Sequence, residues 1–183
     1  MSADQFAAAD DQEPPESGLN VEIAAEAACP ASDELIRAAV AAALPADRYQ
    51  AASISVAVVD DPTMHELNRQ YLAHDYPTDV LSFALLDEPP QRLEGQIIVS
   101  VDTAAACAAD AGWSAADEVL LYVIHGTLHL AGHDDHSPEA AAAMLAAEAA
   151  ALAELGIERS PGDERWTTGA GAYCTANRTT EDR

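Results

Sequence analysis

The sequence predicts an α+β domain: a small mixed sheet of about four strands packed with several helices, with a metal site on a central, late helix. Three observations predict it. All the segments with strand patterning lie before residue 102. Capped stretches with helical spacing are interleaved with them and continue after them. Finally, the run Val119–Ile124 makes its helix apolar nearly all round, which suits only the centre of a domain.

Taken in order, Leu19 to Ile23 alternates apolar and polar residues and reads as a short strand. Ser32 can cap a helix with Asp33 and Glu34 in its first turn, running to about Leu44 and ended by Pro45. Ser53 to Val59 alternates again, with Ile54, Val56 and Val58 on one face. Asp61 followed by Pro62 reads as a cap and first-turn pair, opening a helix that offers Met64, Leu67, Tyr71 and Leu72 for burial. Asp75 to Asp79 is a loop fixed in part by Pro77. Val80–Leu85 and Gln96–Val101 are two further strands, separated by a turn at Pro89 and Pro90. Asp102 can cap an alanine-rich helix ending at Gly112. Ser114 with Asp117 has the form of a capping box before the long apolar helix. Ser137 and Pro138 open a last helix through Met144, Leu145, Leu152 and Leu155, stopped by Gly156.

Around this frame, residues 1–17 are acidic and rich in Ala and Pro, and are expected to be disordered. Residues 18–156 form the single domain, and 157–183 are expected to be a flexible polar tail. No apolar stretch approaches the ~20 residues that span a bilayer, and the acidic N-terminus lacks the basic start and apolar run of a signal peptide. A cytoplasmic protein without a membrane partner is therefore expected. Cys29, Cys107 and Cys174 are odd in number and lack metal-ligand spacing, so neither a disulfide framework nor a cysteine zinc site is indicated. The formal charge of -24, with no lysine, repels nucleic acid at long range, although a bound cation can reverse the sign at a cleft.

Chemistry concentrates in His125–His136, HGTLHLAGHDDH, which holds four of the six histidines. His125 and His129 are four apart and so lie on one face of a helix. Gly132 stops that helix and lets the chain fold back, offering a third ligand from His133, Asp135 or His136. With no cysteine near and three protein ligands, the pattern suits a catalytic zinc that keeps a position for water, and hydrolysis is the default reaction class. In zinc proteases a glutamate directly after the first histidine is the general base; here that position is Gly126, which weakens a peptidase reading. Phosphodiester hydrolysis can dispense with that glutamate.

HGTLHLAGHDDH closely resembles the signature of the YbeY family of bacterial endoribonucleases, and Leu67–Phe83, LNRQYLAHDYPTDVLSF, resembles that family's second characteristic segment. The resemblance spans roughly Leu19 to Gly156. It implies a single-strand-specific endoribonuclease dependent on one zinc ion, acting in 16S rRNA 3′ end maturation and ribosome quality control, with single-stranded rRNA and the small ribosomal subunit as partners. The family's third histidine usually follows the second by six positions, where this chain has Asp135, with His136 one further on. His136 is preferred as third ligand beside His125 and His129 because imidazole suits zinc, and Asp135 is the alternative. His133 stands where the family commonly has an aromatic residue and reads as packing.

A second departure is Leu72, where the family often has an arginine thought to engage RNA phosphate. Arg69, three positions earlier on the same helix, is the candidate substitute and, with His125, the candidate catalytic residue; a solvated surface arginine is its ordinary alternative. Thr78, Asp79 and Ser82 match the family segment and shape a cleft or a turn, while His65 and His74 read as surface histidines. Two other functions stay open: a metal-stabilised ribosome-associated binding factor with little catalysis, and then a zinc peptidase.

Overall fold

The computed structural model describes residues 17–45 and 47–158; nearly all of the segment expected to be disordered and nearly all of the expected tail lie outside these. The order is β1 (Gly18–Ala25), α1 (Asp33–Ala43), β2 (Ala51–Val59), α2 (Asp61–Leu72), β3 (Val80–Glu88), β4 (Arg92–Ser100), α3 (Val101–Ala111), α4 (Ala115–Leu130) and α5 (Pro138–Glu154). One four-stranded sheet has the order β1-β2-β4-β3. β1 pairs parallel with β2 and β2 with β4, whereas β3 pairs antiparallel with β4 across the Pro89–Pro90 turn. The expected α+β class with a mixed sheet is what forms.

Period-two alternation decides which face each strand residue serves. Ile54, Val56 and Val58 of β2, with Leu93, Ile97 and Val99 of β4, enter the larger core beneath α1, α4 and α5. Ala57, Val59 and Ile98 point the other way, where Met64 and Leu67 of α2 and Leu81 of β3 cover them. The sheet is thus a middle layer between one helix and several. Nearly every residue of α4 from Glu118 to Leu130 is buried, as its apolar run requires.

Caps set the helix ends, and two of them differ from the sequence expectation. Asp60, not Asp61, caps α2: its Oδ1 accepts from Thr63 N at 3.0 Å, with Pro62 in the first turn. Asp61 has another task, accepting from the Ser100 hydroxyl and, at 2.8 Å, from the Thr103 hydroxyl. Ser100, not Asp102, caps α3, so Val101 opens the helix instead of ending the strand. Asp102 turns to the neighbouring helix and accepts from Asp61 N at 3.0 Å. Because β2 and β4 lie side by side, with Val59 opposite Ser100, α2 and α3 start beside one another, and these acids knit the two starts together.

The other corrections concern burial and strand length. Tyr71 and Leu72 are exposed, since α2 ends at Leu72 and only its Met64–Leu67–Asn68 side meets the sheet. β1, β2 and β3 extend beyond the alternating segments because backbone pairing continues where the side-chain pattern fades. Ser114 caps α4 as expected, accepting from Asp117 N at 3.1 Å and donating to the Asp117 carboxylate at 2.7 Å. Among the described residues, no helix is long and apolar enough to cross a membrane.

Candidate metal centre

Gly126 sets the depth at which α4 lies on the sheet. A Cβ there would stand 2.9 Å from Ile97 Cγ2 and 3.2 Å from Val80 Cγ2, closer than carbon atoms pack. The glycine therefore lets the helix press against β3 and β4, and position 126 faces strand side chains. One residue before it and three after it, the helix carries His125, buried at 8% exposure, and His129.

The α4 end is built to turn. Ala131 N donates to Thr127 O and His133 N to Leu128 O, each at 2.9 Å, closing the last turn while Gly132 takes φ +87°. Few residues other than glycine adopt that φ without strain. Asp134 then organises the returning segment: its Oδ1 accepts from Asp135 N at 2.8 Å and from His136 N at 3.2 Å, and it also takes the His136 imidazole. That pairing raises the His136 pKa and lowers that of Asp134.

Four of the predicted residues come together, and they divide unevenly. His125, His129 and Asp135 place one ligand atom each within 4.8 Å of one another. His136 joins Asp134 and Asp135 in a second, more exposed group, its side chain 85% accessible. An open cavity of about 480 Å³ is lined by His125, His129, Asp135 and His136 on one side. Leu72, Thr78, Asp79 and the β3 residues Val80–Ala84 line the other. Leu72 reaches this wall from α2; Arg69 is exposed one turn earlier and is not among the residues that line it. His65 is held by Asp75 at 2.9 Å, and His74 stacks on Tyr76; neither lines the cavity.

Hydrogen bonds fix what the two α4 imidazoles offer. Nδ1 of His125 lies 2.6 Å from Glu148 Oε1, and Nδ1 of His129 lies 3.1 Å from the His133 carbonyl oxygen. A carboxylate and a carbonyl only accept, so both Nδ1 atoms are donors, and both neutral rings present lone pairs at Nε2. Those two Nε2 atoms face each other at 3.0 Å. Two lone pairs that close need a positive charge between them, either a shared proton or a metal ion. Burial acts to lower the His125 pKa, but its hydrogen bond to Glu148 and the nearby carboxylates of Glu148, Asp79 and Asp135 hold it above the ordinary value. Burial and then His125 lower that of His129. Asp79, at the cavity wall, is raised by burial against the opposing pull of His125, and its Oδ1 accepts from Val80 N at 2.8 Å and Thr78 Oγ1 at 3.0 Å.

Glu148 is the residue that sequence reasoning missed. It lies in the alanine-rich helix α5, where its alternation with small residues hides it. The signal was present: Ala141, Met144, Glu148, Ala151 and Leu152 form the buried stripe, so a charge stands inside an apolar face. A carboxylate behind a ligating histidine is the usual partner that orients a metal-binding ring.

Comparison with known proteins identifies relatives of the chain as a whole. The family model for Endoribonuclease YbeY matches residues 20–156. A protein called Endoribonuclease YbeY from Rhodopirellula baltica is 48% identical over 130 residues, covering 70% of this chain and 66% of that protein. One of the same name from Carboxydothermus hydrogenoformans is 40% identical over 110 residues, 60% of this chain and 77% of that protein. A third, from Roseiflexus castenholzii, is 38% identical over 150 residues, 77% and 94% of the two lengths. The solution structure of TM1509 from Thermotoga maritima is similar in fold, with a TM-score of 0.51 and 26% identity, covering 74% of this chain and 91% of that one.

Proposed function

The chain belongs to the Endoribonuclease YbeY family, and we propose that it is a zinc-dependent endoribonuclease that cuts single-stranded rRNA, in 16S rRNA 3′ end maturation and ribosome quality control in the cytoplasm. The observation that carries the metal-dependent reading is the opposition of His125 Nε2 and His129 Nε2 at 3.0 Å, with each ring's other nitrogen committed to an acceptor. That is how histidines are held in metal sites.

His125 and His129 are the first two proposed ligands, and the third comes from the turn that Gly132 makes. The geometry supports Asp135, whose carboxylate already lies with the two rings, while His136, preferred from the sequence, is hydrogen-bonded to Asp134. A set of two imidazoles and one carboxylate is a familiar donor set for zinc and leaves a coordination position open. When bound, such an ion acidifies a water molecule and polarises a phosphoryl oxygen, the two requirements of phosphodiester hydrolysis.

This chain's own residues supply the positioning. Glu148 holds the His125 ring in one tautomer from behind, and the His133 carbonyl does the same for His129. Asp79 pins the start of β3 through Val80 N, shaping the wall that faces the histidines. A side chain at position 126 would run into Ile97 and Val80, so no protease-like base can be offered from there.

The test is cleavage of single-stranded rRNA by zinc-loaded wild type and by His125→Ala, purified identically. Cutting by the wild type alone is expected. Equal cutting by both would indicate a contaminating nuclease, and cutting by neither would favour a metal-stabilised binding factor.

A further inference from the structure

Among the described residues, six large hydrophobic side chains are exposed, and four of them, Tyr71, Leu72, Tyr76 and Leu85, lie on the end of α2, the loop after it and β3. At its α2 end this group reaches the candidate metal centre: Leu72 and Phe83 line the cavity, and the Tyr71 ring packs on Phe83 with centroids 5.4 Å apart. In the loop that follows α2, the His74 and Tyr76 rings stack at 5.3 Å and 11°. The loop that presents them is tied down. Buried Asn68 donates to the Tyr76 carbonyl at 2.7 Å, and Asp75 is held by His65 at 2.9 Å.

Charge makes the patch more telling. An RNA enzyme ordinarily gains affinity from lysine and arginine on phosphates. This chain has no lysine and a net charge of -24. Of the described arginines, Arg37 pairs with Asp33, Arg92 with Glu94, and Arg48 with the Tyr49 hydroxyl. Arg69 stands off the cavity, where Leu72 is the α2 residue on its wall.

We propose that the Tyr71–Phe83 and His74–Tyr76 pairs form a stacking platform that binds unpaired RNA bases beside the metal centre, so that the chain holds its substrate through bases more than through phosphates. The proposal rests on the ribonuclease reading above and adds what grips the strand. Stacking on an aromatic ring is open to any base, because every base has a π-face, and it needs the bases unpaired, which selects single strands over duplex. A loop already tied down by hydrogen bonds loses little freedom on binding.

The experiment measures fluorescence anisotropy of the full chain carrying His125→Ala, the substitution expected to abolish cutting. The probes are a short labelled single-stranded RNA and an abasic ribose-phosphate strand of the same length. Loss of about tenfold or more in affinity for the abasic strand is expected, with a loss of about fivefold or more from Tyr76→Ala or Tyr71→Ala. Tyr76→Phe keeps binding, and the salt dependence is shallow. Equal affinity for both strands, or a steep salt dependence with Tyr71→Ala and Tyr76→Ala neutral, overturns the platform. If zinc-loaded wild type still cuts RNA in that case, only the platform falls. If the wild type neither binds nor cuts, the ribonuclease reading falls with it.

Discussion

Replacing Glu148 by glutamine tests whether the α4 histidines are built to hold a metal. Glu148 is 3% exposed on α5, and its Oε1 lies 2.6 Å from His125 Nδ1, a short, buried, charge-assisted bond. Glutamine keeps the shape and an accepting oxygen but removes the charge that makes the ring a stronger donor to a cation. Changes to such outer partners cost 10–100-fold in metal affinity as an order of magnitude. That range converts to about 1.4–2.8 kcal/mol. Alanine at the same position should cost more, because a buried Nδ1–H left without an acceptor adds roughly 1–3 kcal/mol against the fold itself. Zinc affinity measured by competition with a chromophoric chelator, beside thermal unfolding of the metal-free proteins, separates the two effects. Glu148→Gln should weaken zinc binding at least tenfold while the metal-free protein still unfolds cooperatively. A variant that binds zinc within twofold of the wild type would mean that Glu148 does not support a metal on His125.

Gly126→Ala sets a gain of up to about 1 kcal/mol in helix propensity against about 1–3 kcal/mol of overpacking, since the new methyl would stand 2.9 Å from Ile97. Denaturant unfolding should show net destabilisation, and stabilisation would mean that the helix rides higher on the sheet. For the third ligand, Asp135→Ala should lose zinc while His136→Ala retains it in equilibrium dialysis; the reverse result would return the position to His136. Asp60 caps α2, and its bonds to the Thr63 side chain and backbone N–H hold its pKa below the ordinary carboxylate value. A depressed folded pKa stabilises above the unfolded value of about 3.9 and is lost as pH falls through the folded one. Asp60→Asn, which still caps but does not titrate, should therefore flatten the fall in stability below about pH 4. An unchanged profile in acid urea titrations would count against that role.

Much of the fold was legible because local rules and tertiary packing agree. The alternation in Ser53–Val59 is the two-sided burial of β2, and the all-round apolar run before His125 is the buried α4. Helix starts were harder where acids and serines cluster. Val59-Asp60-Asp61 and Ser100-Val101-Asp102 each offer two capping residues, and the choice depends on the cross-links between adjacent helix starts, which pair residues some forty positions apart. The His125–His129 half of the site was visible as a spacing on one helix. Its other features were not: Glu148 arrives from α5, 23 residues further on, and the share of Asp135 and His136 in the site depends on how Asp134 folds the turn. The exposure of Tyr71 and Leu72 was likewise hidden, because helical spacing shows which residues share a face but not where the sheet beneath that face ends.

Stoichiometric reconstitution shows whether a metal at the α4 histidines is what cuts the RNA. Metal-free wild type is titrated with zinc while cleavage of a single-stranded RNA is followed, with His129→Ala in parallel. Activity should rise from none to a plateau at about one zinc per chain in the wild type and stay absent in the variant. Cleavage that persists in the fully chelated wild type, or that zinc restores equally to His129→Ala, would contradict it.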